Sequence, residues 1–326
     1  MKKKIAVIFT GGTIGCISVE GSRRLSDGQR YLLLREYMKR YGERDFLCDS
    51  PFFVLSENME ASYLLMLSDA VRKACEEADG VIVTHGTDTL AFTAAYLGYL
   101  FSDSLKPIVL VSSRAPVGEP DANGVDNLAA AVALIEDSAA HRGVFVSYRN
   151  LGEHTKILRA TRVLMQSAFT DAVCSLGAPY AVYDGKRTLR SEDYRALPDG
   201  AATGAVTDLS RRVFHITPRV GVAYPRSLDG CDAVLLQAYH SGTLPTASGE
   251  FLDFLAVARS RGCPIFVSGV CSGLQYESMD VYAKLGIKVI PSIAPVAAYM
   301  KLWIAINRPC WSDDFLTRSV GEDIVF

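Results

Sequence analysis

Four short apolar runs, IAVIF (5–9), VIVTH (81–85), PIVLVS (107–112) and GVFVSY (143–148), lack the polar–apolar alternation of a half-exposed strand. Strands of this kind are buried on both faces, and the arrangement that buries both is a parallel sheet covered by helices on each side. The intervening segments 61–78 and 125–135 have the apolar spacing of helices that pack on such a sheet. From 184 to 210 the chain turns polar (DGKRTLRSEDYRALPDGAATGAVTDLS) and loses any sustained period, as an interdomain linker does. Apolar runs then resume at AVLLQAY (233–239), PIFVSG (264–269) and KVIPS (288–292), separated by helical stretches at 251–261 and 296–305. The expected fold is α/β with two domains: a larger N-terminal parallel-sheet domain (1–185), a linker (186–212) and a smaller C-terminal α/β domain (213–326).

Composition narrows the function. Hydrophobic residues at 49% and charged residues at 21% fit a soluble globular protein and exclude a disordered or membrane-spanning one. The 34 basic and 36 acidic residues are interspersed, which leaves no footprint for nucleic acid and points to a small-molecule partner. Cys16, Cys48, Cys75, Cys174, Cys231, Cys263, Cys271 and Cys310 show no CxxC spacing, so neither a metal site nor a disulfide framework is expected. They read as reduced, mostly buried small residues. The basic start Lys2–Lys4 precedes an apolar run of only five residues, too short for a signal peptide, so a cytoplasmic protein is expected.

Two motifs stand where a parallel sheet presents its ligand-binding loops, at the carboxyl ends of strands. TGGTIGC (10–16) follows the first strand; Gly11 and Gly12 permit unusual backbone angles, and Thr13 offers a hydroxyl nucleophile. HGTDT (85–89) follows a later strand and opens a helix, whose free N–H groups favour an anion or a developing oxyanion. Alone, the first motif reads as a glycine turn with a capping threonine. In the second, Asp88 or Thr89 could simply cap the helix, and His85 reads as a neutral, buried orienting residue.

Together and in this order, TGGTI and HGTDT resemble the paired signatures of the bacterial L-asparaginase family, intracellular type I-like. SENM (56–59) resembles that family's substrate loop, PVGEPDANGVDNLAAAV (116–132) the stretch after its third central strand, and AYHSGTLP (238–245) its second-domain loop. The resemblance implies a homodimer or homotetramer that hydrolyses L-asparagine to L-aspartate and ammonia without metal or cofactor. It also implies Thr13, Thr87 and Asp88 as catalytic residues, with Ser56, Glu57, Gly86 and Asp88 on the substrate. Ser56 would hold the α-carboxylate and Asp88 the α-ammonium.

The chain departs from the family's pattern at one telling place. The family's catalytic lysine falls on Met165 when Arg162 is the anchor, and no lysine occurs from 157 to 185. Arginines there cannot serve as bases. Thr243 stands where the second-domain loop usually has Asn, and the lid 18–26, basic at Arg23 and Arg24, lacks the family's tyrosine; Tyr31 is the nearest. A working amide hydrolase and a non-catalytic asparagine or aspartate sensor are therefore both open. An asparaginase-like amidotransferase component would normally carry an additional N-terminal domain, whereas TGGTI begins ten residues into this chain. GGTIGC is not the GxGxxG of a dinucleotide site.

Overall fold

The computed structural model describes residues 2–137, 139–200, 202–270, 273, 275–308 and 313–325. Cys271 and Cys310 lie outside the described residues. The chain opens with β1 (Ile5–Phe9), whose five residues are all buried. A β-hairpin follows, β2 (Cys16–Val19) and β3 (Ser22–Leu25), and then α1 (Leu32–Tyr41) and β4 (Phe46–Asp49). Next come α2 (Ala61–Glu77), β5 (Gly80–Thr84), α3 (Leu90–Leu100), β6 (Pro107–Val111), α4 (Gly124–Glu136) and β7 (Gly143–Tyr148). Three strands, β8 (Thr155–Arg159), β9 (Ala181–Tyr183) and β10 (Thr188–Arg190), complete an eight-stranded sheet of order β10-β9-β8-β7-β6-β5-β1-β4.

The five strands from β4 to β7 are parallel, and β8, β9 and β10 pair antiparallel at the far side. Successive residues of the parallel strands alternate between two apolar layers. Ala6, Ile8, Val81 and Val83 meet α2 and α3; Ile5, Val7, Phe9 and Ile82 meet α1 and α4. That double burial is why the strands carry no polar alternation. β10 lies inside the 186–212 stretch, so this polar segment adds an edge strand to the first sheet before it crosses over.

The second sheet is a four-stranded parallel one: β11 (Val213–Ile216), β12 (Ala233–Gln237), β13 (Ile265–Val270) and β14 (Ile287–Pro291), in sequence order. α5 (Gly249–Ser260) covers one face, with Ser248 capping it through the Phe251 N–H. α6 (Pro295–Ile306) covers the other face and packs against α3, so residues of both sheets share one apolar cluster. α3, LAFTAAYLGYL, is buried almost all round because it lies between the first sheet and α6. After α7 (Asp313–Thr317) the tail returns to the first sheet, where Thr161 donates to Gly321 O at 2.7 Å.

No helix among the described residues is long and apolar enough to cross a membrane. The six described cysteines are all free, but only Cys16 and Cys263 are buried. The expectation of mostly buried thiols is thus corrected: Cys48 stands exposed at the end of the sheet's edge strand β4, and Cys174 in the loop before β9.

Candidate active site

Three loops meet at the carboxyl ends of β1, β4 and β5. Thr10 donates to Thr84 O at 2.6 Å, fastening the β1 loop to β5, and Gly12 N donates to Val54 O at 2.9 Å, fastening it to the β4 loop. Gly11 (φ 103°) and Gly12 (φ 76°) both lie in the left-handed region that glycine alone adopts freely. Space sets a second demand: a Cβ on Gly12 would fall 2.2 Å from Gly86 Cα, and one on Gly86 would fall 2.4 Å from Ser56 Oγ. The glycines let the TGGTI and HGTDT segments touch backbone to backbone and let the Ser56 side chain of SENM close on Gly86. The short 3-10 turn Thr13–Gly15 thus follows directly on the point where the Gly12 backbone meets Gly86, the residue before Thr87, although 74 residues separate Thr13 from Thr87 in sequence. Its half-exposed hydroxyl makes no hydrogen bond among the described residues, which leaves it free for a ligand.

His85 is 1% exposed, and burial pushes its imidazole down to about 4. Nδ1 lies 2.8 Å from Gly86 O; a carbonyl only accepts, so Nδ1 carries the proton, and Nε2 accepts from Thr93 Oγ1 at 2.9 Å. Both ring nitrogens are thereby used, and His85 orients the loop rather than moving protons. Thr87 is half-buried and Asp88 exposed. Neither Asp88 nor Thr89 caps α3: Thr89 Oγ1 donates to Ser56 O at 2.8 Å, and Asp88 Oδ2 accepts from Ser56 Oγ at 3.1 Å. Ser56 is buried and thus ties the second loop to the third, while Glu57 beside it is exposed. Among the described residues no three His, Cys, Asp or Glu side chains are grouped to hold a metal ion.

A family profile described as asparaginase, N-terminal, matches residues 4–192, from β1 through β10. The chain belongs to the asparaginase family. It is 30% identical over 207 residues to a Glutamyl-tRNA(Gln) amidotransferase component of Thermoplasma acidophilum, covering 60% of this chain and 48% of that one. It is 27% identical over 344 residues to an L-asparaginase of Dirofilaria immitis, covering 94% of this chain and 57% of the other. The chain thus spans about half the length of these two relatives. The solved structure of L-asparaginase I from Vibrio cholerae shares the fold, with a TM-score of 0.80 at 21% identity and 100% of both chains covered.

The positions at which the motifs lead one to expect a departure from the family's pattern can be located. Met165 is 60% exposed and lines a largely apolar cavity of about 910 Å³ between the two sheets, together with Thr89, Phe92, His215, Tyr299 and Trp303. Lys156, the nearest lysine in sequence, is engaged with Glu153 at 2.6 Å. Thr243 O accepts from Tyr239 N at 3.0 Å, closing the loop after β12 on itself. Residues 18–26 run through the β2–β3 hairpin, and Tyr31 packs edge-on against Phe9 at 5.4 Å, under the start of the TGGTI loop. Just after β6 the fully buried Ser113 donates to Ala115 O at 2.6 Å and so shapes the loop that follows.

Proposed function

We propose that this chain is an amidohydrolase that cleaves the side-chain amide of L-asparagine, or of a related amino-acid amide, to the acid and ammonia. The observation that supports this reading is the close approach of the Gly12 and Gly86 backbones, which joins the loop that carries Thr13 to the loop that carries Thr87 and Asp88. Thr13 Oγ attacks the amide carbon, the tetrahedral intermediate expels ammonia, and water then hydrolyses the acyl-threonine ester. Loop N–H groups before α3, at the positive end of its dipole, suit the oxyanion. Asp88, held by Ser56, takes the substrate ammonium; Glu57 and Gly86 border the same space. The catalytic domain is the one built on the first sheet, and the working form is a cytoplasmic homodimer or homotetramer that needs no cofactor.

Met165 favours a second reading. With a thioether at the family's lysine position, the chain can serve as an asparagine or aspartate sensor that binds without turnover. One experiment separates the two: ammonia release from asparagine and from glutamine, with calorimetric binding of both and of aspartate. Thr13→Ala is expected to abolish release and to weaken binding far less, because a nucleophile acts chiefly in the transition state. Unchanged turnover in that variant would remove Thr13 from the chemistry, and binding without any release in the wild type would favour the sensor.

A further inference from the structure

An amino-acid amide carries an α-carboxylate as well as an ammonium, and the site described so far offers that carboxylate no cation. Ser56 has a single hydroxyl proton, already given to Asp88 Oδ2 at 3.1 Å. Glu57 next to it is a like charge. Arg30 is engaged with Asp27 at 2.6 Å and stacks over Phe53, and Arg114 donates to Asp121 O at 2.5 Å. Arg23 and Arg24, on the hairpin that rises from the Thr13 turn, are both exposed and form no ion pair among the described residues.

The hairpin register distinguishes them. Cys16 pairs with Leu25, Ile17 with Arg24, Ser18 with Arg23 and Val19 with Ser22, and directly paired residues share a face. One face therefore holds Cys16, Ser18, Arg23 and Leu25; Arg24 lies on the other. Cys16 is 1% exposed and its Sγ lies 3.3 Å from Gly12 O, so the Cys16 face is the one turned toward the TGGTI loop. Ser18, opposite Arg23, donates to Glu119 Oε1 at 2.5 Å, which straps the hairpin to the loop after β6. Burial raises the Cys16 thiol most, while Arg23 lowers it and Glu57 raises it.

Resting on the amide-hydrolase reading, we propose that Arg23 is a specificity-determining residue that receives the free α-carboxylate of the substrate while Asp88 receives the ammonium. The substrate class is then an amino-acid amide with an unblocked α-carboxylate. A guanidinium presents two parallel donors to a carboxylate, a match that lysine does not reproduce.

The test compares wild type, Arg23→Ala, Arg23→Lys and Arg24→Ala, using L-asparagine, L-aspartate and the α-methyl ester of L-asparagine as probes. Arg23→Ala is expected to weaken aspartate binding and to raise KM for asparagine by about tenfold to a hundredfold, with kcat little changed. Arg23→Lys should recover part of that loss, the ester should be indifferent to every variant, and Arg24→Ala should match wild type throughout. Equal losses for asparagine and its ester, or undiminished aspartate affinity in Arg23→Ala, would overturn the assignment while leaving the amide-hydrolase reading standing. Wild-type protein that neither binds nor cleaves asparagine would overturn that reading, and the assignment with it.

Discussion

Two charged regions of this molecule are built on opposite principles. Behind the segment that leads to Met165, the C-terminal tail is held by charges that are buried and matched. Lys301 Nζ meets Asp323 Oδ2 at 2.7 Å with both side chains fully buried, and Tyr99 OH donates to the same carboxylate at 3.0 Å. Arg159 pairs with Glu322 at 2.8 Å, and Arg162 donates to Glu322 O at 2.6 Å and Ile324 O at 3.3 Å. In the loops of the candidate site and on the hairpin that follows the Thr13 turn, Glu57, Asp88 and Arg23 are exposed and, among the described residues, form no ion pair. Charges committed to one another fix a segment in place, whereas charges left open at a loop junction are available to a ligand.

The contrast can be broken most forcefully at Asp323. Asp323→Ala leaves Lys301 buried with no ion pair among the described residues, only the bond to Arg318 O at 2.7 Å and the faces of Tyr99 and Phe315, and breaking such a pair costs about 3–5 kcal/mol. Burial already pulls the Lys301 ammonium below its ordinary range, and Asp323 is what opposes that. Denaturant unfolding should show the full loss. A loss under about 1 kcal/mol would mean that the tail detaches and hydrates Lys301, and that the pair does not hold it.

His85 gives the next largest effect and a defined pH window. Its folded value of about 4 lies below the ordinary 6.5, so between these values the unfolded chain binds more protons than the folded one. Its contribution is complete above pH 6.5 and drains away as pH falls toward 4, with a slope of up to about 1.4 kcal/mol per pH unit. His85→Gln should flatten that part of the stability–pH curve. Parallel curves for the two proteins would mean that the imidazole is solvated when protonated.

The same contrast explains what could be read from sequence. Both-face burial made β1, β5, β6, β7, β12 and β13 legible to within a residue or two, the edge strand β14 was legible from its apolar run although Lys288 and Val289 are exposed, and the carboxyl ends of β1 and β5 located TGGTI and HGTDT. The short edge strands β4, β10 and β11 and the helix α1 carry mixed polar residues and gave no comparable signal. Arg159 and Arg162 look like surface residues in ILRATRVLM, yet they are 5% and 1% exposed. Their partners lie about 160 residues away in the tail, and no local pattern encodes such a pairing. Arg23 and Arg24 are equivalent in sequence and become different only once the hairpin register sets them on opposite faces.

Asp88→Ala should reverse the pattern expected of Asp323. The carboxylate is exposed and caps no helix, and what the variant loses is the bond from the buried Ser56 hydroxyl, so stability should fall by about 1 kcal/mol, well short of the loss at Asp323. Aspartate affinity should fall by roughly tenfold to a hundredfold, the worth of a hydrogen bond to a charged group. Calorimetry and unfolding on the same preparation measure both. Undiminished affinity would place the ammonium elsewhere and remove Asp88 from the open set of charges.

The smallest expected effect belongs to Met165→Lys, which asks whether an open charge can be added. Met165 is 60% exposed on a cavity wall, so an ammonium there stays hydrated and stability should move by less than about 0.5 kcal/mol. General acid–base help of the kind a lysine supplies is worth about a hundredfold to ten-thousandfold when the group is positioned. Here Met165 shares its cavity with Thr89 and not with Thr87 or Asp88, so the gain in ammonia release should be no more than about tenfold. A larger rise would mean that the 160–165 segment already delivers its side chain to the reacting amide. A fall from a high wild-type rate would mean that another group moves the proton, and that a cation at this position only disturbs it.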